Sequence, residues 1–133
     1  MIYVNSFKEL EVYKLSRQLA QEIFEISKAF PKSETYSLTD QLRRSSRSIG
    51  AQIAEAWGKR KYERHFLSKL TDADAEQLET QHWLDVSADC TYYSRERAAE
   101  LLAQCTSIGK MLSSMMAKSH IFCKSRSKSS PQR

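Results

Sequence analysis

Glu79, Thr80, Gln81 and His82 form the one stretch whose residue types and spacing match a metal-binding step. A Glu and a His three residues apart share a helix face. A di-iron four-helix bundle uses that step on two helices and takes one further Glu from each of the others. The other two histidines, His65 and His120, have no Glu three residues before them. ETQH is therefore read as a polar pair on a helix surface. Asp72, Glu76 and Glu79 would share a face with His65 at steps of seven, four and three. Such a face could hold a hard cation, but a solvated acidic face has the same pattern without one. The three glycines are isolated, so no phosphate-cradling loop is formed, and no local Ser-His-Asp or Cys-His motif occurs. Cys90, Cys105 and Cys123 are odd in number, widely spaced and without a CxxC pair, which suits free thiols in a reducing cytosol. The expectation is a protein with no catalytic residue, no metal and no cofactor.

Phosphate binding is the other chemistry the residues could support. Arg43, Arg44 and Arg47 fall in the first turns of a second helix, and Lys59, Arg60, Lys61 and Arg64 fall at the turn into a third. That second helix would be about 30 Å long at 1.5 Å per residue, so these are two patches at opposite ends. From Thr71 to Asp89 the third helix carries Asp72, Asp74, Glu76, Glu79, Asp85 and Asp89 and no Lys or Arg. The segregated charge fits a basic turn meeting an acidic helix of another subunit, or a phosphate-binding surface, or plain solvated faces. All 16 acids and all but five of the 21 basic residues lie within residues 1–117. The net charge of +5 therefore resides in Lys118, Lys124, Arg126, Lys128 and Arg133 of a Ser-rich end, read as a basic tail over 118–133, disordered after its first few residues.

The elements that must position these groups are helices. A chain of 133 residues with three glycines and two prolines has one domain's length and few tight turns, and helix formers dominate it. Ser6 and Glu9 predict a capping box opening a helix to about Ala29, with Val12, Leu15, Leu19, Ile23, Ile26 and Phe30 as its stripe. Ser37 with Asp40 predicts the second start, and Leu42, Ile49, Ile53 and Trp57 its inner line up to Gly58. A third helix runs from near Tyr62 to about Cys90 around Phe66, Leu70, Ala73, Leu78 and Leu84. Ser94 opens the fourth, whose Ala98, Leu101, Cys105, Ile108, Leu112 and Met115 keep a heptad rhythm. Short connections make neighbours antiparallel, so residues 1–117 read as an all-α, up-down-up-down four-helix bundle. The small residues Ser45, Ser46, Ser48, Gly50, Ala51 and Ala54 would let a neighbouring helix approach, inside the bundle or from another subunit. The N-terminus has no apolar leader core and no long apolar span occurs, so a soluble cytoplasmic protein is expected, with no membrane partner.

RRSSRSIGAQIAEAWGKRKYERHFLSKL, followed by DADAEQLETQ, resembles the bacterial four-helix bundle proteins encoded by intervening sequences within large-subunit ribosomal RNA genes. The opening SFKELEVYKLSRQLAQEIF is similar too, and the resemblance covers about residues 7–117. The family pattern Ser-Ile-Pro-x-Asn-Ile-Ala-Glu-Gly reads here Ser48, Ile49, Gly50, Ala51, Gln52, Ile53, Ala54, Glu55, Ala56, a divergent form. The resemblance implies a homo-oligomer, most often a pentameric ring, with a role in nucleic-acid binding and no enzymatic activity. Related bundles serve as accessory factors beside reverse transcriptases, which implies a second role as a protein-interaction scaffold without direct nucleic-acid contact. The seven basic residues of the two patches are the expected contacts to RNA or DNA. Tyr13 and Phe24 on the first helix, with Trp83 and Val86 on the third, lie off their main stripes and are the expected subunit contacts.

Overall fold

A computed structural model describes residues 4–123. Four long helices, α1 (Glu11–Ser27), α2 (Leu38–Gly58), α3 (Glu63–Asp89) and α4 (Arg95–Ala117), are followed by a single turn, α5 (Ser119–Phe122), and no strand occurs among the described residues. Neighbours run antiparallel. On α2 and α3, Arg44 meets Glu79 while Glu55 meets Lys69. On α1 and α2, Arg43 reaches Ser27 while Gly50 faces Ser16. On α3 and α4, Tyr93 just before α4 bonds Leu84 while Gly109 faces Gln77. The described residues form an all-α four-helix bundle.

The fourth helix follows from its pattern directly. Ser94 Oγ accepts the Arg97 N–H at 3.0 Å, and Glu96 sits at the positive end of the helix dipole. All six residues of its heptad stripe are buried. On α3 the stripe is disguised. Phe66, Leu70, Ala73, Gln77, Thr80, Leu84 and Ser87 step by four and three and are all buried, so polar side chains occupy two central core positions. Leu78, expected inside, lies one residue off that line and is 54% exposed. The core accepts Gln77 because Gly109 stands opposite it, where a Cβ would come within 2.9 Å of the amide nitrogen. It accepts Thr80 because the hydroxyl lies 2.9 Å from Ser45 Oγ and 2.8 Å from the Glu76 carbonyl.

Two helix starts differ from expectation. Ser6 accepts the Lys8 N–H and Glu9 reaches back to the Asn5 N–H, but they close a 3-10 turn over Phe7–Glu9. Leu10 then turns extended at φ −67° and ψ 133° and enters the core, and α1 begins after it and stops at Ser27. Ser37 is the N-cap residue of α2, as expected, but its side chain caps no backbone N–H; the hydroxyl donates to Glu34 Oε1, which also takes the Leu38 N–H at 3.3 Å. A carboxylate thus satisfies the positive start of α2. The small residues of α2 serve the bundle first: Ser45 and Ser46 are buried, and a Cβ on Gly50 would lie 3.1 Å from Ser16 Oγ and 3.5 Å from the Tyr13 ring. Ala51 remains exposed and Ala54 half-buried.

The bundle continues past residue 117. Phe122 stacks on Phe66 at 5.8 Å, and Ser119 and Cys123 are buried. The rest of the expected tail, 124–133, lies outside the described residues. At the opposite end, Phe30 packs between Tyr92 and Tyr93. The hydrogen bond Tyr92 gives to Glu34 pushes its hydroxyl up to about 12, and burial pushes Tyr93 to about 12 and the Cys105 thiol to about 12. An unfolded chain would release these protons near pH 9 to 10, whereas the folded chain keeps them, so stability falls as pH rises from about 9 to 12. A series of melting curves over that range should show a steady drop. Tyr92→Phe with Tyr93→Phe should flatten its upper part, and an equal slope in that variant would show that these hydroxyls do not contribute.

Candidate nucleic-acid interface

The seven basic residues are not equivalent. Arg43 is tied inward, its Nε donating to Ser27 Oγ at 2.7 Å and its guanidinium lying 4.6 Å from the Phe24 ring centre. Arg44 donates to Glu79 at 2.6 Å with Glu76 at 3.6 Å, and this bond to Glu79 holds its pKa above the ordinary arginine value. The Trp83 indole, donating to the same Glu79 oxygen at 2.9 Å, and then Arg44 hold that carboxyl below the usual range. Arg47 is exposed and lies 5.2 Å from the Phe24 ring, which Lys28 also approaches at 5.0 Å. The start of α2 is therefore a set of cations seated on one aromatic ring, with Arg44 already neutralised by α3.

At the far end of α2 the balance differs. Arg60 lies flat on Trp57 at 3.6 Å and donates to the Trp57 carbonyl at 2.8 Å; burial pulls its pKa below the ordinary value. Lys59, Lys61 and Arg64 are exposed and form no ion pair among the described residues. Glu55, the nearest acid on α2, is taken by Lys69 at 2.8 Å, which lowers its pKa. Tyr62 stands in the middle of this turn, 57% exposed, with His65 at 5.3 Å and Lys61 at 5.8 Å from its ring. Exposed cations beside an exposed ring are groups of the kind that nucleic-acid-binding proteins use toward phosphates and bases.

The acidic face of α3 is largely spent inside the chain. Glu76 and Glu79 meet Arg44, Asp72 meets Lys69, Asp89 meets Arg95, and Asp74 accepts from Gln77. His65 and His82 are exposed, and no group of three His, Cys, Asp or Glu residues that could hold a metal ion occurs among the described residues. Cys90, Cys105 and Cys123 are free thiols, the first exposed and the others buried. No helix of the described residues is long and apolar enough to cross a membrane.

The four side chains expected at a subunit contact, Tyr13, Phe24, Trp83 and Val86, are each half-buried; Tyr13, Trp83 and Val86 pack against the core of their own bundle, and Phe24 lies under Lys28, Arg43 and Arg47. Tyr13 packs edge-on against Phe7 at 4.9 Å. More exposed than any of them are Tyr36 at 93%, Leu78 at 54% and Ile121 at 48%. Tyr36 borders the groove lined by Thr39, Asp40, Arg43, Arg44 and Arg47. The sequence carried a signal for Tyr36, an aromatic residue one step before a basic helix start. Leu78 carried none, because its exposure depends on which neighbour fills the core.

A family model for the 23S rRNA-intervening sequence protein matches residues 8–114. The bundle is also similar to a crystal structure at 1.70 Å of a protein with unknown function from the S23 ribosomal protein family of Bacteroides thetaiotaomicron VPI-5482. The two share 30% sequence identity over 80% of this chain and 95% of that one, with a TM-score of 0.73. No curated protein matches. With the family pattern spanning all four long helices and the same bundle in a solved relative, the chain belongs to the 23S rRNA-intervening sequence protein family.

Proposed function

We propose that this protein is a non-enzymatic, nucleic-acid-binding homo-oligomer whose main phosphate-contacting surface is the α2–α3 turn. One observation carries this reading: Lys59, Lys61 and Arg64 are exposed at the turn that bears the exposed Tyr62 and form no ion pair among the described residues, whereas Arg44 has two carboxylates. Phosphate contacts position a nucleic acid without reading its bases, so binding should show weak sequence preference. The family description, which ties these proteins to an interrupted ribosomal RNA gene, favours RNA over DNA. The purified chain should shift the fluorescence anisotropy of a labelled single-stranded RNA at about 50 mM salt and lose it steeply as salt rises. Absence of any shift with RNA or DNA at that salt sinks the proposal.

The assembly is proposed as a ring, a pentamer by resemblance. Tyr13, Phe24, Trp83 and Val86 would contribute their outer edges to the subunit contact, and the 54%-exposed Leu78 adds an apolar residue on α3. Light scattering at micromolar protein should return a multiple of 15.4 kDa. A monomer mass there rules the ring out. The second reading, a scaffold for another protein such as a reverse transcriptase, is favoured if the ring forms and no nucleic acid binds.

A further inference from the structure

The start of α2 carries a groove that the α2–α3 turn does not share. Its volume is about 630 Å³, inside the range of about 300 to 1,000 Å³ that holds small ligands. Tyr36, Thr39, Asp40, Arg43 and Arg47 line it. Tyr36 stands in the turn before α2 and is 93% exposed. Asp40, Arg43 and Arg47 follow at steps of three and four, which sets them on one helix face. From Asp40 to Arg47 the helix advances about 10 Å, at 1.5 Å per residue.

Several polar groups of this groove are unspent. Arg43 and Arg47 both lie within 5.2 Å of the Phe24 ring centre, so their guanidinium groups are neighbours. Neither forms an ion pair among the described residues, and neither does the exposed Asp40. Lys28, the third cation on that ring, is instead taken by Glu25 at 3.1 Å, and Arg44 by Glu76 and Glu79. The Thr39 hydroxyl is buried with no hydrogen-bond partner among the described residues, a desolvated group left unpaired. The first N–H of α2 is not available to a ligand, since Glu34 takes it.

Two neighbouring arginines without a carboxylate suit a phosphate, whose oxygens accept charge-assisted bonds from both. An exposed ring suits a base, which stacks on it. A carboxylate between the two suits ribose hydroxyls, which donate to it. In chain order the groove offers partners for base, ribose and phosphate, the order in which a 5′-nucleotide carries them. We propose that this groove is a second binding site that takes a 5′-nucleotide, either free or as the phosphorylated end of an RNA. It is independent of the α2–α3 turn: Arg47 lies about 18 Å along α2 from Lys59, so either site can bind without the other.

Equilibrium dialysis of the full chain against adenosine 5′-monophosphate (AMP) at about 50 mM salt tests the site. A dissociation constant below about 1 mM is expected. Adenosine, which lacks the phosphate, should bind at least about tenfold more weakly. Tyr36→Ala and Arg47→Gln should each weaken AMP binding by about tenfold or more, the first through lost stacking and the second through a lost phosphate contact. Both side chains are exposed, so melting should be retained. Arg43 is left in place because its bond to Ser27 joins α2 to α1. A 5′-phosphorylated RNA dinucleotide that binds more tightly than AMP assigns the groove to an RNA end; equal or weaker binding assigns it to a free nucleotide. Absence of binding by both AMP and the dinucleotide overturns the proposal. So does AMP binding that both variants retain, and so does adenosine binding as tightly as AMP.

Discussion

Reversal of Lys59, Lys61 and Arg64 to Glu is expected to lower RNA affinity by about 100-fold or more at about 50 mM salt, with little change in melting. The size follows from counterion release. Three lost contacts, each worth about 0.7 in the salt slope, amount to between two and three decades of affinity at that salt, before added repulsion from the new carboxylates. The small effect on stability follows from exposure and from two opposed end effects. These side chains make no ion pair among the described residues. Lys59 is the C-cap of α2, where a carboxylate is disfavoured, and Arg64 lies in the first turn of α3, where one is favoured, each effect worth about 0.3 to 1 kcal/mol. Arg60 is left in place because its guanidinium covers Trp57 at 3.6 Å, so replacing it would disturb packing as well as charge. The matched control is Arg44→Glu, which would face Glu76 and Glu79 and should cost stability while changing RNA affinity less. Wild-type affinity in the triple variant would remove the turn from the interface. Loss of the oligomer mass with RNA binding unchanged would instead assign these cations to assembly.

Phe66→Ala should destabilise the bundle by about 3 to 5 kcal/mol, the range for emptying a buried aromatic site. Phe66 is fully buried, and its ring carries Phe122 on its outer side, so truncation opens a cavity under α3 and removes the seat of α5. Against the roughly 5 to 15 kcal/mol that holds a typical domain together, this is a large fraction. Urea unfolding followed by circular dichroism measures it, and a loss below about 1 kcal/mol would show that the site collapses or was never packed. Leu78→Ala, on the same helix, should change the stability of an isolated subunit by no more than about 0.5 kcal/mol. A concentration-dependent loss at Leu78 would place that side chain in the subunit contact.

The sequence by itself determined the class, the number of long helices and most of their bounds. The Ser94 cap, the heptad stripe of α4 and the span of α3 from Tyr62 to Cys90 are all local features: a helix period is set by backbone geometry, and a cap needs only its next three residues. The resemblance in LRRSSRSIGAQIAEAWGKRK and its flanks was equally legible. Tertiary structure decided what depends on the register between helices. Gln77 and Thr80 complete the α3 stripe because Gly109 and Ser45 stand across from them, and Leu78 is turned out as a result. Arg44 and Lys59 look alike in the chain, yet one meets Glu79 across the α2–α3 gap and the other faces solvent. The end of the bundle was likewise set by contact: Phe122 reads as part of a polar tail until Phe66 is seen beneath it. A side chain's partner lies on another helix, and periodicity along one helix carries no information about the residue opposite. That is why the helices could be read from the sequence, while the free cations emerged only from the packed bundle.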